Sequence, residues 1–104
     1  MTRRVLIAES DEDVREFLEL TVRRLGYEAV AADERGDVDA MLVEPACAMG
    51  RSVLRRFGAD APPVICLSIY PREEGLEPAA SVAYLVKPAS STEIADALRN
   101  VFGV

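Results

Sequence analysis

Val82-Ala83-Tyr84-Leu85-Val86-Lys87-Pro88 sets five apolar residues before one lysine and one proline. An apolar run of that length, closed by a residue that cannot donate to a ladder, reads as a hydrophobic strand. A lysine at its end is costly to bury unless a partner meets it. Three earlier runs stop in a related way. Val64-Ile65-Cys66-Leu67 stops at Ser68, Ala40-Met41-Leu42-Val43 at Glu44, and Val5-Leu6-Ile7-Ala8 at Glu9. Four hydrophobic strands therefore end in lysine, hydroxyl, acid and acid. In an open parallel α/β sheet the carboxyl ends of the strands line the ligand crevice, so these polar ends are expected to converge there.

The segments between the runs supply helices. After Ala8, Ser10 or Asp11 can cap a helix whose first turn carries Glu12 and Asp13, the favourable charge at that end. Val14, Phe17, Leu18, Thr21, Val22 and Leu25 recur at helical spacing as one apolar stripe, and Gly26 is the stop. Glu28 to Ala32 is a weaker strand. Only seven residues, Asp33 to Asp39, separate it from the run at Ala40. A parallel crossover with its helix takes about ten to twelve, so no full helix fits. An extended link, a single turn and an irregular second strand are all compatible with the spacing.

Pro45 blocks the third strand, and a helix is expected from about Arg51 to Phe57, ended by Gly58. Pro71, Gly75 and Pro78 make 69–81 poor helix material, with at most one or two turns around Arg72 to Leu76. Ser90 and Glu93 form a capping-box pattern before a last helix, Thr92 to Phe102, with Ile94, Leu98 and Val101 inward. Alternating strands and helices give an α/β fold, a parallel sheet covered on both faces.

Composition narrows the function. The 104 residues suit one domain over 1–104, and half are hydrophobic. A net charge of −6 repels phosphate backbones, which argues against direct nucleic-acid binding. The chain has no histidine, which removes the commonest general base and zinc ligand and excludes Ser-His-Asp and Cys-His catalysis. No apolar stretch approaches the roughly 20 residues that span a bilayer, and the basic start Met1-Thr2-Arg3-Arg4 leads into too short a run for a secretory signal. Cys66, inside an apolar strand, is expected as a buried reduced thiol, and Cys47 as solvent-facing filler or an exposed reactive thiol. A soluble protein of the cytoplasm is the expectation.

With these residues in order, the chain resembles the receiver domain of bacterial two-component response regulators. The matching pieces are Val5 to Arg15, Leu25-Gly26-Tyr27-Glu28, Asp39 to Pro45, Pro63 to Ser68, and Ala83-Tyr84-Leu85-Val86-Lys87-Pro88. The resemblance implies a single flavodoxin-like domain with a five-stranded parallel sheet in the order 2-1-3-4-5; this chain departs from it in that the second helix is missing and the fourth reduced. It also implies a phosphorylation switch. Acids after the first strand and an Asp after the third bind Mg²⁺, the Asp accepts a phosphoryl group from a kinase, and a Ser or Thr and a Lys contact the phosphoryl oxygens.

Carried onto this chain, Glu9 fits the first acidic position, and the second falls on Ser10. The acceptor position falls on Glu44 instead of Asp. Ser68, Lys87 and Pro88 fit, and Tyr84 fits the switch aromatic. The expected degenerate acceptor pocket is Glu9, Ser10, Asp11, Glu44, Ser68 and Lys87, with Tyr84 and Pro88 on the switch or interaction face. Ser10 removes a carboxylate from a metal site, and Mg²⁺ tolerates misplaced ligands poorly. The longer acceptor moves its carboxylate by roughly 1.5 Å, where a misplacement of about 1 Å can cost about 10²-fold in rate.

No metal and no cofactor are therefore expected, Glu9 and Glu44 being the residual metal candidates, and Mg²⁺ enters only if the acceptor still works. Glu44 is expected to pair with Lys87, with Ser68 donating to it. Blander readings stand beside these: Ser10, Asp11 and Asp13 as helix caps, Glu44 as a solvated strand-end acid, Tyr84 as core with its hydroxyl wet.

Three functions follow: a phosphorylation-independent, non-enzymatic interaction module, a working phosphoacceptor, and a small flavodoxin-like cofactor binder. The last lacks a Gly-rich phosphate loop. The first is the reading adopted. Its expected partners are a signalling protein or kinase, or a second copy, met through the fifth strand and last helix.

Overall fold

Every residue in Val5–Ala8, Ala40–Val43 and Val64–Ser68 is buried. A strand covered on both sides has no polar face, which is why these runs are continuously apolar instead of alternating. The computed structural model describes residues 2–70 and 81–103. Its elements are β1 (Arg4–Ala8), α1 (Glu12–Arg24), β2 (Glu28–Ala31), β3 (Ala40–Val43), α2 (Ala48–Phe57), β4 (Val64–Ser68), β5 (Ser81–Val86) and α3 (Ser91–Phe102), with a 3₁₀ turn at Gly58–Asp60. All five strands are parallel, in the order β2-β1-β3-β4-β5. The flavodoxin-like order expected from the sequence is the observed one.

Strand alternation divides the core in two. Val5, Ile7, Ala40, Leu42, Ile65 and Leu67 pack beneath α1 and α3, against Leu18, Val22, Ile94 and Leu98. Leu6, Ala8, Met41, Val43, Val64 and Cys66 form the opposite layer with Val53 of α2. Cys47 and Cys66 form no disulfide, and Cys66 is fully buried. Among the described residues no helix is long and apolar enough to cross a membrane.

Helix ends follow local chemistry, with corrections to the sequence expectation. Asp11 caps α1, its Oδ1 accepting the Val14 amide at 3.0 Å, while Ser10 is an exposed bend. The α3 capping box is complete: Ser90 Oγ accepts from Glu93 N and Glu93 Oε1 from Ser90 N, each at 3.1 Å. Phe17, expected in the inward stripe, is 41% exposed. Successive helical residues are turned by about 100°, so the neighbouring Leu18 takes the inward place and Phe17 the rim.

The largest correction is α2. It begins at Ala48, not near Arg51, because Cys47 is its cap. The Cys47 sulfur accepts the Gly50 amide at 3.2 Å and lies 3.2 Å from the Glu44 carbonyl as donor. Cys47 is half-buried and structural, so it is not solvent-facing filler.

Between β2 and β3 there is no helix among the described residues. A single turn, closed by Glu34 N donating to Ala31 O at 3.1 Å, ends β2 one residue earlier than expected. The rest of the link is pinned by Arg4. Its amide donates to Asp39 Oδ2 at 2.7 Å, and its guanidinium pairs with Glu28 at 2.6 Å and Glu34 at 3.5 Å. Gly36 has φ +118°, and a β-carbon there would crowd the same guanidinium. The turns expected around Arg72 to Leu76, and with them the reduced fourth helix, lie outside the described residues.

Candidate functional site

A parallel sheet carries all its strand C-termini to one edge, so Glu9, Glu44, Ser68 and Lys87 share that edge. Strands sit about 4.8 Å apart, which leaves the ends of β5 and β1, three steps apart, beyond the reach of short side chains. Lys87 and the two glutamates are long enough to meet. The Lys87 ammonium contacts Glu9 Oε1 and lies 3.2 Å from Glu44 Oε2.

The cluster is secluded. Glu9 is 3% exposed and Glu44 6%. The other Glu44 oxygen, Oε1, accepts the Ala46 amide at 3.0 Å, while Oε2 is buried and accepts no well-directed hydrogen bond. Its compensation is the ammonium, as an ion pair. Burial works against the charge on Lys87, but the contacts with Glu9 and then Glu44 outweigh it, so the lysine pKa is raised above its ordinary value. The blander reading of Glu44 as a solvated strand-end acid is overturned by its burial. The pairing of Glu44 with Lys87 is present. Glu9 makes the closer contact, because it too is long and enters the same space.

Other expected residues fall differently. Ser68 does not donate to Glu44 among the described contacts; its Oγ accepts the Tyr70 amide at 3.2 Å. Tyr84 is half-buried, and its hydroxyl, read as wet, donates to the Tyr70 carbonyl at 2.9 Å. The Tyr70 backbone thus donates its amide to the pocket hydroxyl and accepts the β5 aromatic hydroxyl at its carbonyl. Ser10 and Asp11 stand outside the cluster, the first exposed and the second spent on the cap. Pro88 follows Lys87 through a cis peptide bond and is exposed. Val82 and Val86 on β5 are 59% and 49% exposed.

Sequence reasoning missed several contributors. Arg15 holds the Glu9 carbonyl at 3.1 Å. Gly50 lies so close to Glu44 that a β-carbon would overlap its carbonyl. Nothing in the sequence marked that approach, because the helix was expected to start only after Gly50.

The donor set at this edge differs from a divalent-cation cage. Among the described residues no group of three or more His, Cys, Asp or Glu side chains could hold a metal ion. The two converging carboxylates share one ammonium, and the neighbouring position is the hydroxyl of an outward Ser10. The residues present do not fit Mg²⁺, which needs near-octahedral oxygen ligands.

No family model matches the chain, and no curated protein does. Solved structures do. The receiver domain of the sensor histidine kinase PA1611 from Pseudomonas aeruginosa, solved with a magnesium ion coordinated in its active-site cleft, superposes with a TM-score of 0.81. It is 24% identical over 100% of both chains. This chain has the receiver fold. The response regulator TrrA of Thermotoga maritima, in complex with Mg²⁺ and BeF, gives a TM-score of 0.76 at 22% identity, over 96% of this chain and 99% of that one. A response regulator from Clostridium difficile gives 0.82 at 14%, over 98% and 97%. On the receiver fold, the strand-end cluster of Glu9, Glu44, Ser68 and Lys87 occupies the crevice at the carboxyl edge.

Proposed function

We propose that this chain is a receiver-type module of two-component signalling that works without phosphoryl transfer. The observation that carries the reading is the Lys87 ammonium held between Glu9 and Glu44 in a buried cluster. Phosphoryl transfer depends on in-line access and on metal charge. Glu44 offers neither: it is covered, one oxygen is held by the Ala46 amide, and the other faces a cation. The charge pairing that a phosphoryl group would bring to the lysine is built into the side chains. The module is not an enzyme, needs no cofactor, and acts in the cytoplasm by binding. Its partner, a signalling protein or kinase, meets the β5 and α3 face, where Val82 and Val86 are exposed beside Tyr84.

The test is titration with Mg²⁺ and beryllofluoride, followed by backbone amide spectra. The expected result is no shift at Glu9, Glu44, Ser68 or Lys87. Saturable shifts there, or an acid-labile phosphate after incubation with acetyl phosphate and Mg²⁺, would restore the phosphoacceptor reading. The double change Ser10→Asp with Glu44→Asp separates chemistry from shape. Metal binding regained means that only the ligands were lost. An inert double variant means that the short, capped β3–α2 turn has closed the pocket as well.

A further inference from the structure

We infer that α1 is the contact between two copies of this chain in an antiparallel, two-fold pair. The inference is independent of how the pocket works. On α1, Asp13, Phe17, Leu20 and Arg24 succeed one another at four, three and four residues and are all exposed. At 100° per residue they lie on one stripe. Phe17 and Leu20 are 41% and 45% exposed, two large apolar side chains side by side on a helix whose buried face is elsewhere, at Leu18, Thr21 and Val22.

The stripe is self-complementary: the charges at its ends also suit the helix dipole, but the two exposed apolar residues between them do not serve it. Read from either end it is a charged residue, two apolar residues and a charge of opposite sign. The pair Asp13 and Arg24 and the pair Phe17 and Leu20 are centred on the same point, between Leu18 and Glu19. An isologous two-fold contact brings residue i of one copy against residue j of the other, and j against i. Laying α1 antiparallel on a second α1 about that point therefore sets Phe17 against Leu20 twice in the middle. It also sets Asp13 against Arg24 twice at the ends. A parallel arrangement would oppose like charges.

The surroundings leave room for the approach. Phe17 borders two hollows along the α1–α3 seam, of about 520 and 320 Å³. Ser91, Thr92 and Ala95 of α3 line the second of them and are small. The apolar centre supplies the attraction. Exposed ion pairs contribute little, so Asp13 and Arg24 fix register and direction more than affinity. With only two large apolar side chains from each copy at its centre, the expected dimer is weak, with a dissociation constant on the order of 0.1 mM.

Sedimentation velocity of the whole chain over a concentration series, at low salt, tests the pairing, with circular dichroism to verify folding. Phe17→Glu is expected to raise the dissociation constant more than about 30-fold, and Arg24→Asp alone about tenfold. The double swap Asp13→Arg with Arg24→Asp restores both opposed pairs and is expected to return it to within about threefold of the parent. Val82→Glu, on the β5 face, is expected to leave it unchanged. A chain that stays monomeric to about 1 mM overturns the inference. So does a double swap no tighter than the single, or a dimer abolished by Val82→Glu and indifferent to Phe17→Glu.

Discussion

The Lys87 ammonium stands 3.2 Å from Glu44 Oε2, a buried oxygen with no well-directed hydrogen bond of its own. Two carboxylates thus depend on one cation. Breaking a buried ion pair from one side strands the remaining charge and costs about 3–5 kcal/mol. Lys87→Met is expected to lose about 3 kcal/mol in urea unfolding. Adding Glu9→Gln and Glu44→Gln, which remove the stranded charges, should recover a large part of it. A Lys87→Met protein as stable as the parent would mean that the cluster is solvated and the charges independent.

The same cluster predicts a pH dependence. The Lys87 pKa is raised above its ordinary 10.5 in the folded chain, through contacts with Glu9 and Glu44 that outweigh its burial. A group whose folded pKa exceeds its unfolded value stabilises fully below the unfolded one, and that contribution fades as pH rises through the folded one. The parent's advantage over Lys87→Met, read from paired urea midpoints, is therefore expected to stay constant from neutral pH toward 10.5 and to shrink above it.

The fold was legible because β1, β3 and β4 are buried on both faces and so read as unbroken apolar runs, and because these three and β5 each end at a polar residue that marks the sheet edge. Lys87-Pro88 carried most of that information. The pairing of Glu44 with Lys87 could be anticipated from length and charge. The closer contact of Glu9 could not, since it depends on how far a twisted sheet brings β1 and β5 together. Cys47 was misread because a thiol is an uncommon helix cap, so the helix start was placed three residues late. The exposure of Phe17 was hidden because a stripe broad enough to include both Phe17 and Leu18 cannot face inward at both.

Arg4 takes over part of what a crossover helix would do. It holds Glu28 and Glu34 through its guanidinium and Asp39 through its amide, tying the link to the edge of the sheet. Truncation removes the side-chain contacts and leaves the backbone ladder of β1 intact. Arg4→Ala is expected to speed amide hydrogen exchange across 33–38 by about tenfold or more while exchange in β3 and β4 stays slow. Uniform acceleration across the sheet would instead mean that the link is integral to the core.

Gly50 tests how tightly α2 is laid over the pocket. The helix crosses the Glu44 peptide so closely that a β-carbon at position 50 would overlap its carbonyl oxygen and come within 2.8 Å of its carbonyl carbon. Both obstacles are backbone, which cannot swing aside as a side chain can. Ala is ordinarily the better helix former by about 1 kcal/mol, so propensity favours Gly50→Ala and packing opposes it. Overpacking against a rigid neighbour costs about 1–3 kcal/mol, occasionally more. Packing should therefore win, with a net loss of about 2 kcal/mol in thermal or urea unfolding. The strain also has a direction. Relief requires α2 to lift from the β3–α2 turn, which exposes Glu44 and loosens the Cys47 contacts to Glu44 and Gly50. Faster alkylation of Cys47 by iodoacetamide in Gly50→Ala than in the parent is the expected accompaniment. An alanine variant with unchanged stability and unchanged thiol reactivity would mean that the helix stands farther from the turn than this geometry has it.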